Sequence, residues 1–105
     1  MVPNIIIIFL RRNRIHDISG LSNISSLERV FLSDNCITNI ATLACISSLD
    51  NMKELSLDGN PVCVNAQHYR ASIIISFPKL THFDLKHITF KERSHSNSLN
   101  LEQVK

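Results

Sequence analysis

The sequence predicts an α/β solenoid of about three stacked copies of one unit. One phrase occurs three times, as FLRRNRIHDI, FLSDNCITNI and SLDGNPVCVN. Each copy places an asparagine three residues after a leucine and two residues before an aliphatic residue, at Asn13, Asn35 and Asn60. These asparagines are separated by 22 and 25 residues, and a fixed period of this length is typical of a repeat stack. Such a stack usually functions through the surface it builds.

The first two copies carry the same residue types at eight positions, all apolar except the asparagine. The inward positions of the first copy are Ile5, Ile8, Leu10, Asn13, Ile15, Ile18, Leu21 and Ile24. Those of the second copy are Leu27, Val30, Leu32, Asn35, Ile37, Ile40, Leu43 and Ile46. The third copy opens with Met52, Leu55, Leu57, Asn60 and Val62. Because inward and outward residues alternate before each asparagine, we expect a short strand there, on a concave face.

The segments that return from each strand predict helical turns on the convex face. Residues 19–26 and 41–51 space their apolar side chains three apart, which suits 3₁₀ or short helical turns. The second return is three residues longer than the first. We expect this insertion to lie on the convex or lateral surface and to leave the strand register unchanged.

The asparagines are expected to form a ladder. An asparagine side chain carries both a hydrogen-bond donor and an acceptor, so it can bond backbone groups of its own turn and of the adjacent turn. Those groups would otherwise lack partners where the chain turns inward. Asn13, Asn35 and Asn60 are therefore predicted to be structural.

The pattern changes after Asn60. Pro61 interrupts regular backbone hydrogen bonding, residues 65–76 predict a helix, and Pro78 ends it. Leu80, Phe83 and Leu85 predict a last strand, and the chain is polar from Phe90 onward. We divide the chain into repeats (1–60), a C-terminal cap (61–89) and a polar tail (90–105), the tail being either flexible or the start of a separate helix.

Composition limits the classes of function. A net charge of +2 is too balanced to predict nucleic-acid binding from charge alone. The three cysteines lack the spacing of a zinc site or a disulfide framework and predict free thiols in a reducing, intracellular setting.

The apolar run of residues 5–10 is too short for a signal peptide or a membrane span. As a first strand it would be unprotected, so we expect it to meet a partner unless the chain is a fragment or a short isoform.

The repeat resembles a known family. The pattern LxxLxLxxNxIxxIxxLxxL is similar to the short, bipartite class of leucine-rich repeats, typified by the nuclear regulatory subunit of protein phosphatase 1. Residues 57–93 resemble the C-terminal cap of that class. The matching features are Asn60-Pro61, Tyr69-Arg70, Phe77-Pro78 with Leu80, Phe83-Asp84, and Ile88-Thr89 with Glu92.

The resemblance implies a non-catalytic interaction module or scaffold subunit without a cofactor. The cap is most similar to leucine-rich-repeat subunits of tubulin-modifying complexes, such as the tubulin polyglutamylase complex, and to ciliary or centrosomal relatives. It is also similar to caps of spliceosomal leucine-rich-repeat proteins and of acidic nuclear phosphoproteins. The implied partners are proteins, and the implied location is the cytoplasm, at the cytoskeleton, centrosome or cilium. The alternative is an RNA-associated subunit like that of the splicing machinery.

The register predicts which side chains line the concave face. The middle column is Phe9, Phe31, Ser56 and Asp84. The flanking columns are Ile7, Arg29, Glu54 and His82 on one side and Arg11, Ser33, Asp58 and Lys86 on the other. Aromatic and arginine side chains are the usual anchors of an interface. The candidate partner-binding residues are therefore Phe9, Arg11, Arg29, Phe31 and Glu54.

A simpler interpretation of the same residues is open. The two rings, expected to form an exposed pair, would pack on each other and on the stems of Arg11 and Arg29. Arg29 and Glu54 are expected to form a cross-strand ion pair, worth well under about 1 kcal/mol when exposed.

Other chemistry has weak support. No local signature joins a cysteine to a histidine as a nucleophile and base, so no catalytic residues and no enzyme activity are predicted. His82 and His87 flank the last strand, but two ligands do not make a metal site. Arg11, Arg12 and Arg14 form a basic cluster that would suit RNA, a solvated turn, or the acidic surface of a protein such as a tubulin tail.

Overall fold

A computed structural model describes residues 5–99. This part of the chain contains a five-stranded sheet whose strands lie in chain order. The strands are β1 (Ile7–Phe9), β2 (Arg29–Phe31), β3 (Glu54–Ser56), β4 (His82–Phe83) and β5 (Lys86–His87). Strands β1 to β4 pair in parallel, and β5 pairs antiparallel with β4. Each repeat adds one strand beside the previous one, so the predicted solenoid is confirmed.

The strand register agrees with the asparagine alignment. Ile7, Arg29, Glu54 and His82 lie in one row across the sheet, and Phe9, Phe31 and Ser56 lie in another. The three-residue insertion before the third copy therefore does not shift the strands.

The convex side consists of short helical turns, as the spacing predicts. A 3₁₀ helix spans Ser19–Asn23, and a second spans Ile40–Leu43 and continues into α1 (Ala44–Ser47). The side chain of Asn39 caps the second 3₁₀ helix by accepting from the backbone N–H of Thr42 at 3.1 Å. The extra turn of α1 accommodates the longer return segment.

The core lies between the sheet and these turns. Leu27, Val30, Leu32, Ile37, Ile46, Leu55 and Leu57 are completely buried. Burying one such side chain contributes about 1.5–3 kcal/mol, so the repeated aliphatic positions are the main source of stability.

Two of the three asparagine side chains, those of Asn35 and Asn60, join successive turns. The Nδ2 of Asn35 donates to the carbonyls of Leu10 (2.8 Å) and Leu32 (2.9 Å). Its Oδ1 accepts from the backbone N–H groups of Asn13 and Ile15, both at 3.1 Å. Asn60 repeats the arrangement one turn later, donating to Leu32 and Leu57 and accepting from Ile37 at 3.0 Å. Asn13 is exposed and donates to carbonyls of its own turn, those of Leu10 and Arg11.

The residue before each of these asparagines has a left-handed backbone. Its φ is 57° at Arg12, 58° at Asp34 and 78° at Gly59. Glycine adopts this conformation without the steric cost that a side chain brings. At Gly59 a Cβ atom would also lie 2.0 Å from the Oδ1 of Asp34. The turn is therefore one repeated structure that tolerates an arginine and an aspartate in its first two copies.

The cap contains two helices where the sequence predicts one over residues 65–76. Helix α2 spans Val62–Asn65, and α3 spans Tyr69–Ser76. The chain is extended at Ala66 and left-handed at His68, where φ is 51°. These two conformations interrupt the helical hydrogen bonds, so the predicted start of the helix at residue 65 is wrong.

The predicted last strand also ends early. Asp84 and Leu85 both have positive φ, 50° and 66°, and form the turn of a hairpin between β4 and β5. Leu85 is 63% exposed instead of facing the core. Lys86 belongs to β5 and so does not continue the outer row of a parallel strand.

Residues after the hairpin form a further helix, α4 (Phe90–Asn97). The hydroxyl of Thr89 caps it by accepting from the N–H of Glu92 at 3.0 Å. The Arg93 guanidinium donates to the carbonyls of Ile74 (2.7 Å), Phe77 (3.2 Å) and Leu80 (2.7 Å).

The polar segment is predicted to be either flexible or the start of a separate helix, and it is helical over Phe90–Asn97. Arg93 satisfies the carbonyls at and beyond the end of α3, so α4 is docked on the cap and not a separate helix. The part of the predicted tail from residue 100 lies outside the described residues, and the division of the chain at residues 60 and 89 stays a prediction. Between residues 5 and 99, no helix is long and apolar enough to span a membrane.

Candidate functional site on the concave face

Two stacked phenylalanine rings mark the first two strands. The rings of Phe9 and Phe31 lie 4.9 Å apart between centroids and are 8° from parallel. Their register follows directly from the pairing of β1 with β2. Phe9 is 67% exposed, whereas Phe31 is 8% exposed. The pair therefore presents one ring to solvent and uses the other as its support.

The expectation of two exposed rings is wrong for Phe31. Phe9 covers it on one side, and the Arg11 guanidinium lies 5.8 Å from its ring centroid. At that distance the cation is attracted to the ring face. The predicted packing of the two rings on each other and on Arg11 thus describes Phe31, while Phe9 remains available for contact.

The row beside the rings combines an aliphatic side chain with an ion pair. Arg29 Nε lies 3.8 Å from Glu54 Oε1, so the predicted cross-strand pair is present. The Arg29 side chain is 48% exposed, and such a pair is worth well under about 1 kcal/mol. Ile7, next to Arg29, is 41% exposed. We call the group Ile7, Phe9, Arg11 and Arg29 the β1 patch.

Strand β1 is followed by a turn that carries three exposed arginines, Arg11, Arg12 and Arg14, and we call it the basic turn. Within residues 5–99, none of the three forms an ion pair. The equivalent turns after β2 and β3 carry the exposed carboxylates of Asp34 and Asp58. The edge of the sheet thus changes from basic beside β1 to acidic beside β2 and β3.

Several other members of the concave columns are buried or have partners within the chain. Asp58 accepts a hydrogen bond from the buried hydroxyl of Ser33 at 2.7 Å. Ser56 is fully buried, and its hydroxyl has no partner among the described residues. Glu54 is half-buried beside Arg29.

Asp84 does not face outward. Its carboxylate accepts from the backbone N–H of Leu57 at 2.7 Å and from the Tyr69 hydroxyl at 2.8 Å. Burial, together with hydrogen bonds to Cys63 and Asp84, raises the pKa of Tyr69 far above its ordinary value, so the phenol stays a donor. Asp84 therefore joins β3 to the cap, which is why the middle column ends at Ser56.

The histidines and cysteines do not assemble a reaction centre. The rings of His82 and His87 meet edge to face at 5.2 Å across the β4–β5 hairpin. The described residues contain no group of three metal-binding side chains. All three cysteines are free thiols, as predicted. Cys45 is half-buried on the convex side, where burial raises the pKa of its thiol.

Two contributions were missed from sequence. Ile7 lies in its predicted column and is exposed, and an outward isoleucine beside an outward phenylalanine indicates an apolar patch wider than the predicted binding residues. The role of Arg93 has no signal in the repeat pattern, because it depends on how α4 docks.

Comparison with known proteins gives a consistent family. A sequence profile described as Leucine-rich repeat matches residues 1–103. Centrosomal protein of 72 kDa from Mus musculus is 30% identical over 83% of this chain and 14% of its own length. The Dynein axonemal assembly factor 1 homolog of Drosophila melanogaster is 27% identical over 90% of this chain and 6% of its own length.

A solved structure shares both the fold and the sequence pattern. The crystal structure of the Drosophila melanogaster SNF/U2A′ complex contains a chain that matches with a TM-score of 0.84 and 28% identity. The match covers 90% of this chain and 55% of that one. This chain spans between 6% and 28% of the length of the curated relatives that it matches.

Proposed function

The chain belongs to the leucine-rich repeat family, and from that premise we propose that it is a non-catalytic interaction module that holds a protein partner on its concave face. The observation that carries the proposal is the exposed ring of Phe9, fixed on the buried ring of Phe31. Because the stacked ring of Phe31 already supports it, Phe9 can contact a partner with little further loss of side-chain freedom.

The β1 patch has the composition of a binding hot spot. Phenylalanine and arginine are enriched in interface centres, where they bury large areas and make directed hydrogen bonds. Phe9 supplies apolar area, while Arg11 and Arg29 supply donors on either side of it. Glu54 pairs with Arg29 at 3.8 Å, and the side chains of Asn35 and Asn60 join successive turns and so keep the strands at a fixed spacing.

We propose further that the partner belongs to a microtubule-associated assembly of the cytoplasm, at the centrosome or cilium, such as a tubulin-modifying complex of the polyglutamylase kind. The names of the mouse centrosomal relative and the fly dynein assembly relative support this setting. The similarity of the cap to subunits of tubulin-modifying complexes points the same way.

The test is affinity capture of the tagged chain from ciliated cells, with mass spectrometry of the bound proteins. We expect centrosomal, tubulin or tubulin-modifying proteins, and at least about tenfold weaker capture after Phe9→Ala. Phe90→Ala is the matched control, because Phe90 is 89% exposed but lies on α4. Equal capture by the Phe9→Ala variant would place the interface elsewhere, and capture of unrelated proteins alone would remove the microtubule assignment.

A second candidate function is an RNA-associated subunit. It is favoured by the three exposed arginines of the basic turn and by the likeness to the chain of the SNF/U2A′ complex. Binding to an RNA oligomer would then weaken steeply with salt and be lost in an Arg11→Ala, Arg12→Ala double variant. Fluorescence anisotropy with labelled RNA measures both effects, and an absence of binding at low salt would exclude this candidate.

A further inference from the structure

We propose that the β1 patch and the basic turn together bind a short acidic segment of the partner, with one apolar side chain flanked by carboxylates. The proposal rests on the proposed function, since it specifies the chemistry of the partner at the same face. Four positions are used: the exposed ring of Phe9 and the guanidinium groups of Arg11, Arg12 and Arg14.

First, the basic turn carries positive charge without a carboxylate partner among residues 5–99. The three arginines of the basic turn lie within four residues of one another and are exposed. The ion pairs within residues 5–99 involve Arg29, Lys53 and Arg70 and none of these three arginines. Guanidinium groups bind carboxylates through two parallel hydrogen bonds, so this turn has the donors for two or three carboxylates.

The position of the charges relative to the ring is the second step. Arg11 is held over the Phe31 ring at 5.8 Å, and Phe31 is stacked on Phe9. The positive groups therefore begin directly beside the exposed aromatic surface. A ligand that reaches both must carry an apolar side chain close in sequence to its acidic residues. An amphipathic acidic peptide has this arrangement.

The acidic side of the sheet edge favours a peptide over a nucleic acid. The next two turns carry Asp34 and Asp58, both exposed. A phosphate backbone that continued past the basic turn along the sheet edge would meet these carboxylates and be repelled. Single-stranded RNA binding also normally uses several stacking rings and a longer basic groove, whereas the described part of the concave face exposes one phenylalanine, Phe9.

The test uses two fluorescent synthetic peptides, each with a central phenylalanine, one flanked by glutamates and the other by glutamines. Fluorescence anisotropy is measured with the full chain, with an Arg12→Glu, Arg14→Glu variant, and with a Lys79→Glu, Lys91→Glu control. Both variants make the same change in net charge at exposed positions, but Lys79 lies in the cap and Lys91 lies on α4. A labelled RNA oligomer is a separate arm.

We expect the glutamate peptide to bind more tightly than the glutamine peptide, with affinity that falls as salt rises. The affinity of the arginine variant for the glutamate peptide should be lower than that of the lysine control by about tenfold or more. Equal binding by the two variants, equal binding of the two peptides, or binding of RNA alone would overturn the proposal. If Phe9→Ala abolishes capture of the cellular partner while Arg12→Glu, Arg14→Glu leaves it intact, the interaction face stands and its acidic ligand does not.

Discussion

Asn35 satisfies more backbone groups than a residue in a regular strand can. Its side chain donates to carbonyls from two successive turns and accepts from two backbone N–H groups of the first turn. The residue is buried, so water cannot replace these bonds without opening the stack. The asparagine thus converts an irregular turn into a repeatable one, which explains why it is the one polar residue in the inward pattern.

We predict that Asn35→Ala lowers the free energy of unfolding by about 1–3 kcal/mol, because it leaves buried donors and acceptors unpaired. Asn13→Ala is the internal control, since Asn13 is exposed and, among residues 5–99, its side chain bonds carbonyls of its own turn alone. Urea unfolding followed by circular dichroism gives both values. A loss for Asn13→Ala as large as that for Asn35→Ala would contradict the view that the ladder acts by joining turns.

At the scale of elements, α4 is tied to α3 by charge as well as by packing. The Arg70 guanidinium donates to both carboxylate oxygens of Glu92 and to the carbonyl of Phe83 at 2.9 Å. The hydrogen bonds from Arg70 lower the pKa of Glu92, and those to Glu92 raise the pKa of Arg70. An ionised Glu92 therefore contributes to holding α4 against α3.

This dependence predicts a change with pH. The pKa of Glu92 is lower in the folded chain than in the unfolded chain, so its contribution to stability is fully present above the unfolded value. It is lost as pH falls below the ordinary glutamate pKa of about 4.3 and through the lower folded pKa. The difference in urea midpoint between the native chain and Glu92→Gln should be largest near neutral pH and should shrink in acid. A difference that is constant with pH would show that Glu92 contributes only through packing.

The repeats could be predicted from the sequence because the same positions occur in several copies. Asn13, Asn35 and Asn60 fix the register, and that register gives the row of Ile7, Arg29, Glu54 and His82. The cap has a single copy, so no comparison within the chain shows that Asp84 turns toward Leu57. Its position depends on a contact between distant segments, and such contacts leave no period in the sequence.

The site was predictable to the same degree and for the same reason. Alternation gives the direction of Phe9 and Phe31, and the register makes them neighbours. The register does not give the exposure of the two rings. Coverage of Phe31 depends on the conformation of Arg11, which precedes the left-handed residue Arg12. Direction follows from local geometry, whereas exposure follows from the side chains of the adjacent repeat.

At the scale of the whole molecule, the residues that stabilise the fold and the residues that favour association with another chain lie in different parts of the structure. A repeat stack gains stability from each interface between neighbouring turns, and the fully buried aliphatic residues lie in the middle turns and the cap. Strand β1 has a neighbour on one side only within the described residues. Ile5, Ile6, Ile7 and Phe9 are all exposed there, between 38% and 67%.

An exposed apolar edge strand is a template for pairing with another chain, so we predict that this chain self-associates as its concentration rises. Ile7→Lys should shift it toward the monomer, because a lysine on an edge strand opposes pairing, and the 41% exposure of Ile7 limits the effect on folding. Val64→Lys, at an 86% exposed site on α2, should leave association unchanged. Sedimentation velocity over a concentration series measures the outcome. A native chain that stays monomeric throughout, or equal effects of the two lysines, would mean that the β1 edge does not drive association.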